Sequence, residues 1–201
     1  MSSLSVIVPP RPPVLHVWAP PRSLMATAVR AADEAAWSYE PVGATAGDMP
    51  DGYLHDVRSA VIGEGDPAFQ RGRAALRRWA QFDLPWVRLF RSDIPIRPGE
   101  IVAFSSRQLG LWALNVCRIV YVIDEPHRFG FAYGTLKGHA VAGEERFLLE
   151  FDPESSAVRF EIKKYSRLQN PLVRIAGPAA RAVQARFSRE ALEALRRAVQ
   201  A

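Results

Sequence analysis

The chain has 201 residues, of which 48% are hydrophobic and 23% charged, with a single cysteine and a formal net charge of +5. These fractions are those of a globular protein rather than a disordered one. One cysteine excludes an internal disulfide. No apolar run approaches the ~18 residues that a membrane-spanning helix needs, so no membrane span is predicted.

The first 36 residues differ in composition from the rest of the chain. Proline fixes φ and lacks a backbone donor, which favours polyproline II or irregular structure. Ser23 is placed to cap a short helix through Ala36. No basic segment precedes an unbroken apolar run, so no signal peptide is predicted and a cytoplasmic location is expected. We predict an N-terminal extension over residues 1–36, able to pack on a single domain over residues 37–201. The prolines of the extension are Pro9, Pro10, Pro12, Pro13, Pro20 and Pro21.

One helix is predicted near the middle of the chain. Asp66-Pro67 is a start signal, because an acceptor side chain at the N-cap precedes proline at the first helical position. Apolar residues then recur at helical spacing, and the helix is expected to end near Gln81. Five glycines interrupt residues 39–66, which predicts a short strand followed by loops and turns.

After Pro85 the hydrophobic period changes to two, which is typical of strands. Short loops rich in turn-forming residues separate the strands, and short loops favour antiparallel neighbours because parallel strands need long crossovers. The predicted strands cover residues 84–91, 100–106, 111–123, 129–136, 144–152 and 157–163.

The pairing of the later strands follows from their alternation. Centring the loop at 137–143 on Ala140 pairs Tyr133 with Phe147 and Thr135 with Glu145. One face is then aromatic and aliphatic, while the other carries small and charged residues. This pattern indicates a one-sided sheet whose apolar face looks toward a core. A shift of two residues would leave the same residues on each face.

Gly177-Pro178 opens a final helix with an alanine-rich apolar stripe that includes Val183 and Phe187. Small residues allow this helix to approach the sheet closely. The predicted fold class is therefore α+β, with a curved antiparallel sheet packed on a long C-terminal helix. A curved sheet and a helix often leave a space between them, and such spaces are ligand sites.

Several short segments occur in an order that resembles the uncharacterised bacterial and plant family DUF1990. They are YEPVGAT at 39–45, PDGY at 50–53, IGEG at 62–65, GFAYGTL at 130–136, GH at 138–139, GEERF at 143–147 and SR at 166–167. The resemblance covers the chain from about residue 39 to the C-terminus. It implies a helix-grip fold of the START-like, Bet v 1-like superfamily, with an internal cavity for apolar ligands. It implies no established activity.

The alternation places Tyr133, Thr135 and Glu145 on the apolar face at one end of the sheet. A buried carboxylate is costly unless paired, so Glu145 is expected to contact Arg167, Tyr133 or His139. We predict that these groups hold the polar end of a ligand or form a structural network of their own. The predicted ligand-binding residues are Phe131, Tyr133, Thr135, His139, Glu145, Phe147, Arg167 and Gln184.

Three functions fit this pattern. The first is binding of a small apolar or amphipathic ligand in the cavity. The second is an enzyme that uses the same cavity, with His139 or Glu145 as the base. The third is a structural or interaction module whose core is filled by side chains.

Neither a cofactor nor a metal is predicted. No glycine-rich phosphate loop joins a strand to a helix, and the four histidines lack the paired spacing of a zinc site. Residues 157–201 contain 10 Lys and Arg against 3 Asp and Glu. No nucleic-acid motif accompanies this excess, so it predicts a solvated helix face rather than a nucleic-acid partner. The sequence leaves the oligomeric state open.

Overall fold

The computed structural model describes residues 15–108, 110–169, 175 and 177–200. Most of these residues lie in eight strands and three α-helices. The strands are β1 (Leu15–His16), β2 (Leu54–Glu64), β3 (Val87–Leu89), β4 (Ile101–Gln108), β5 (Leu111–Glu125), β6 (Arg128–Thr135), β7 (Val141–Phe151) and β8 (Ala157–Leu168). The helices are α1 (Arg22–Ala32), α2 (Gly65–Arg77) and α3 (Gly177–Gln200). No helix in these ranges is long and apolar enough to cross a membrane.

All eight strands join one antiparallel sheet with the order β2-β8-β7-β6-β5-β4-β3, and β1 pairs with the start of β5. Successive strands from β3 to β8 are neighbours, as their short connections predict. Register shifts near Val120 and Ile62 mark bulges, which bend a strand and increase its twist. The sheet curls around α3, and the predicted α+β class is confirmed.

The core lies between the sheet and α3. Phe129, Phe131, Phe147 and Phe160 point inward from the later strands and are almost completely buried. They share one apolar cluster with α2 and with the inner face of α3, including Phe187. Each such ring contributes about 1.5–3 kcal/mol by leaving water. The predicted inward-facing set is therefore confirmed.

The outer face of the sheet is also covered, so the expectation of a one-sided sheet is wrong. Met25 and Ala28 of α1 pack on Ala103 and Leu114 of β4 and β5. Farther along the same face, residues 37–53 pack over β6, β7 and β8. Small residues on the outside of the strands permit these close contacts. The division into residues 1–36 and 37–201 remains a prediction.

The predicted pairing of β6 with β7 is wrong by two residues. Tyr133 pairs with Glu145 rather than with Phe147, and Phe131 pairs with Phe147. The turn is centred on His139 rather than Ala140, with Gly138 in the left-handed region at φ 97°. A shift of two residues keeps every side chain on the same face of the sheet, so the residues predicted for the inner and outer faces are unchanged.

Several element boundaries also differ from the predictions. Helix α1 begins at Arg22 with no side-chain cap, so Ser23 lies inside it, and it ends at Ala32. Helix α2 has no cap from Asp66 and ends at Arg77, because Trp79 adopts a left-handed conformation. The predicted strand over 84–91 shrinks to β3.

The long strand β2 lies where loops and turns were predicted after a short strand in residues 39–66, because the polarity of its first half is inverted. The apolar Val57 and Val61 face solvent, whereas Asp56 and Arg58 are more buried. The covered face becomes apolar only toward the end of the strand, at Ala60 and Ile62. The first half of this edge strand therefore lacks the usual alternation signal.

Candidate functional site

A cavity of about 160 Å³ lies between the N-terminal half of α3 and the ends of β4 to β8. Its apolar walls include Trp86, Phe104, Val183 and Phe187. Pockets for drug-sized ligands typically measure ~300–1,000 Å³, whereas an engineered ~150 Å³ cavity in another protein holds benzene. This cavity therefore suits a molecule the size of a single ring.

The strand sequences explain why the space is open at this end of the sheet. Farther along the strands, the inward positions hold phenylalanines that fill the core. At the cavity they hold small or polar residues, among them Ser106, Ala113, Asn115 and Ser166. The facing turn of α3 carries Ala180, which reaches only a short way toward the sheet. Small residues on both sides leave the void.

A polar cluster of Tyr133, Glu145 and Lys164 forms one wall of the cavity. The Tyr133 hydroxyl donates to Glu145 Oε2 at 2.7 Å. Burial and the neighbouring Glu145 charge hold the pKa of Tyr133 well above its usual range, so the hydroxyl stays protonated. Lys164 Nζ lies 3.4 Å from Glu145 Oε1, and the two side chains are only 8% and 12% exposed. The cluster is thus a desolvated ion pair with one tyrosine donor.

Lys164 connects this cluster to α3 and β2. Its Nζ donates to Ser188 Oγ at 2.6 Å and to the Gln184 carbonyl oxygen at 3.1 Å. It also lies 3.6 Å from Asp56 Oδ2. Lys164 is not among the predicted ligand-binding residues, although alternation from Ile162 places it and Ser166 on the inner face.

His139 and Thr135 lie at the turn that borders the cavity. His139 Nδ1 is 3.0 Å from the Val141 nitrogen and 2.8 Å from the Val141 carbonyl oxygen. Burial lowers the pKa of His139 to about 4, so the ring is neutral at pH 7. The Thr135 hydroxyl donates to the Gly143 carbonyl oxygen and accepts from the Gly143 nitrogen. Both side chains therefore hold the turn in shape.

Five of the eight predicted residues come together at the cavity: Tyr133, Thr135, His139, Glu145 and Gln184. Three do not. Phe131 and Phe147 are fully buried in the core behind Tyr133. Arg167 lies on the outer face, exposed, with its guanidinium group 4.9 Å from the centre of the Tyr53 ring. Odd-numbered residues of β8 point outward, so Arg167 is on the wrong side of the sheet for the cavity.

Of the three partners predicted for Glu145, one is confirmed. Tyr133 is a partner. Arg167 and His139 are within the described ranges, and neither makes a hydrogen bond or ion pair with Glu145. Gln184 contributes at the cavity edge, where its Nε2 donates to Ser166 Oγ at 3.3 Å.

A second buried carboxylate, Glu144, lies on the opposite face of the sheet. Its Oε2 accepts from the Tyr39 hydroxyl at 2.7 Å and from the Gly43 nitrogen at 2.6 Å. Its Oε1 accepts from the Thr45 nitrogen at 3.0 Å and from the Thr45 hydroxyl. Burial and the Glu144 charge raise the pKa of Tyr39 above its usual range. This Glu144 network joins the 39–45 and 143–147 segments and fastens the N-terminal part of the chain to the sheet.

Comparison with known proteins assigns the family. The model described as "Domain of unknown function (DUF1990)" matches residues 38–194. The chain belongs to the DUF1990 family. Within the family's segments, YEPVGAT and GEERF form the Glu144 network on the outer face, while the adjacent Glu145 faces the cavity.

Relatives of this DUF1990 chain carry no assigned activity in their names. A UPF0548 protein of Deinococcus radiodurans is 37% identical over 176 residues, covering 82% of this chain and 85% of that protein. A UPF0548 protein of Dictyostelium discoideum is 37% identical over 137 residues, covering 63% of each chain. The matched stretch is thus less than two thirds of the Dictyostelium protein's length.

Solved structures share the fold with the DUF1990 chain at low sequence identity. The hypothetical protein jhp0584 from Helicobacter pylori aligns with a TM-score of 0.53 and 9% identity, over 80% of this chain and 94% of that one. The Zhui aromatase/cyclase from Streptomyces sp. R1128 aligns with a TM-score of 0.50 and 16% identity, over 74% of this chain and 94% of that one. These likenesses show the helix-grip fold that the resemblance implies.

Proposed function

We propose that this DUF1990 chain binds a small apolar or amphipathic molecule in the cavity between the sheet and α3. The observation that carries this proposal is the cavity itself: about 160 Å³ with aromatic and aliphatic walls and a polar cluster at one side. Water in this space would lie against apolar walls with which it cannot form hydrogen bonds. A ligand that replaces it removes apolar surface from water, at about 25 cal/mol for each Å² buried.

The size and polarity of the cavity restrict the ligand. A single ring fits, whereas a sterol or a long acyl chain exceeds the volume. The ligand's apolar part would contact Phe104, Val183 and Phe187, and its polar part would face Glu145 and Lys164. The cavity favours this proposal over the third hypothesis from the sequence, the core filled by side chains.

Proton-transfer catalysis in the same cavity is a second candidate, because a protonated tyrosine hydroxyl donates directly to a carboxylate there. In that case Glu145 would serve as the base and Tyr133 would keep it in position. His139 fits this role less well, since its ring nitrogen Nδ1 is engaged with the backbone of Val141.

The binding proposal is tested with toluene as the probe, by isothermal titration of the full chain. Ala180 lines the cavity, whereas Ala182, two residues later on the same helix, is exposed. Saturable binding is expected for the wild-type chain and for Ala182→Phe, and its loss is expected for Ala180→Phe. Thermal unfolding of both variants verifies that they fold. Toluene binding that survives Ala180→Phe, or that is absent from the wild type, would contradict the proposal.

A further inference from the structure

We propose that the cavity selects single-ring ligands that carry a neutral hydrogen-bond donor, as a phenol does, and that Glu145 Oε1 accepts the hydrogen bond. This inference rests on the proposed function and names the ligand class for the same cavity.

One carboxylate oxygen of Glu145 accepts no hydrogen bond in the described part of the chain. Oε2 accepts from the Tyr133 hydroxyl at 2.7 Å. Oε1 is buried, yet it accepts no hydrogen bond from any residue in the described part of the chain. A buried acceptor without a donor costs about 1–3 kcal/mol, and more when it is charged. Oε1 itself has almost no accessible surface, but Glu145 is among the residues that line the cavity, so a small rotation of its carboxylate would bring this oxygen to a ligand that supplies the missing donor.

The nearest cation balances the charge of Glu145 without hydrogen bonding to this oxygen. Lys164 Nζ is 3.4 Å from Oε1, but it donates to Ser188 Oγ at 2.6 Å and to the Gln184 carbonyl oxygen at 3.1 Å. Both acceptors belong to α3, so the ammonium group is held toward the helix. Oε1 therefore has a counter-ion but no donor.

The surrounding charges favour a neutral ligand. Arg58 contacts Asp56 at 3.1 Å, Asp56 lies 3.6 Å from Lys164, and Lys164 lies 3.4 Å from Glu145. Two cations thus face two carboxylates. An ammonium ligand would leave an excess positive charge in this desolvated group, and a carboxylate ligand would face Glu145 directly. A neutral hydroxyl group supplies a hydrogen-bond donor and leaves the net charge of this group unchanged.

The apolar walls of the cavity allow the preference for a hydrogen-bond donor to be measured by comparing phenol with toluene. In an apolar cavity, a hydroxyl group loses its hydrogen bonds to water and binds less well than a methyl group of similar size. A charged acceptor reverses that order, because its hydrogen bonds are roughly twice as strong as those between neutral groups. The ratio of phenol affinity to toluene affinity therefore reports whether Glu145 accepts a hydrogen bond from the ligand.

The test measures dissociation constants of phenol, toluene, benzylamine and benzoate by isothermal titration of the wild-type chain, Glu145→Gln and Tyr133→Phe. Phenol is expected to bind the wild type at least about tenfold more tightly than toluene. Glu145→Gln should reduce this ratio to about threefold or less by weakening the binding of phenol, because the charged acceptor is lost. Tyr133→Phe should keep the preference, because it leaves the carboxylate in place and frees its second oxygen.

Each other result overturns the inference in a distinguishable way. Toluene binding as tightly as phenol would exclude a donor-selective site and leave the proposed cavity function standing. A ratio unchanged in Glu145→Gln would exclude Glu145 as the acceptor. Tighter binding of benzylamine or benzoate than of phenol would exclude a neutral ligand class. Failure of all four probes would contradict both the inference and the proposed function.

Discussion

Tyr39 lies directly against Gly134: a β carbon at position 134 would be 2.6 Å from Cζ of the tyrosine ring and would overlap its hydroxyl oxygen. The same hydroxyl donates to Glu144. The absence of a side chain at one position of β6 is therefore what allows the tyrosine to reach the carboxylate. This contact restricts which residue can occupy position 134 on the outer face of the sheet.

Gly134→Ala is accordingly expected to destabilise the protein by about 3 kcal/mol, because overpacking costs about 1–3 kcal/mol and a hydrogen bond to a charged group is lost as well. The change is measured by urea unfolding. Gly177→Ala is the control, since among the described residues a β carbon there meets only Leu168 Cδ1 at 4.0 Å. Combining Gly134→Ala with Tyr39→Ala should relieve the overlap, so strictly additive costs would contradict the contact.

Glu144→Gln tests the network that the tyrosine joins. The carboxylate accepts four hydrogen bonds, and an amide nitrogen in place of one oxygen cannot accept those it replaces. We expect a loss of about 2–4 kcal/mol in the free energy of unfolding. Glu150→Gln, at a side chain that is 43% exposed, should cost less than about 1 kcal/mol. Equal effects of the two substitutions would show that Glu144 is not a structural acceptor.

Lys163 and Lys164 provide a matched pair of neighbouring lysines on opposite faces of the sheet. Lys164→Met removes the counter-ion of a buried carboxylate and is expected to cost about 3 kcal/mol or more. Lys163 donates to the Gly47 carbonyl oxygen on the outer face, so Lys163→Met should cost about 0.5–1 kcal/mol. Chemical denaturation measures both values. A larger loss for Lys163 than for Lys164 would be inconsistent with the buried pair.

His139 gives stability a specific dependence on pH. Its pKa is about 4 in the folded chain and is expected near 6.5 when unfolded, so the unfolded state binds the proton first as the pH falls. The stability contribution is complete above pH 6.5 and declines between pH 6.5 and pH 4, by about 2–3 kcal/mol in total.

His139→Asn should remove this part of the pH dependence when unfolding free energies are compared at pH 7 and pH 4.5. The exposed His127 at the β5–β6 turn is the control position, and His127→Asn should leave the slope unchanged. A slope that is the same in wild type and His139→Asn would contradict the lowered pKa, because it would mean that folding does not change proton binding by this ring.

The sequence predicts the fold better than the site. Alternation over β6, β7 and β8 assigns Phe131, Phe147 and Phe160 to the inner face without any knowledge of the exact pairing. The pairing itself depends on the geometry of one turn, which Gly138 and His139 set through a left-handed residue and a side-chain contact to Val141. Neither feature has a strong signal in the sequence.

Arg167 and Lys164 show why the site was only partly predictable. Both are basic residues near the end of β8, and Arg167 was one of the three predicted partners of Glu145. The strand continues to Leu168, five residues beyond its predicted end. Alternation over the longer strand sends Arg167 outward and Lys164 inward. A strand end that is misplaced by a few residues therefore changes which cation reaches a buried carboxylate.

The proposed site for a single-ring ligand is the space between the sheet and α3. Its most direct test is a crystal of the full chain soaked with bromobenzene, with anomalous scattering recorded at the bromine edge. We expect one dominant bromine peak inside the cavity, in contact with Val183 and Phe187. A strong peak only elsewhere on the molecule, or no bromine peak in the cavity at saturating ligand, would rule out this binding site.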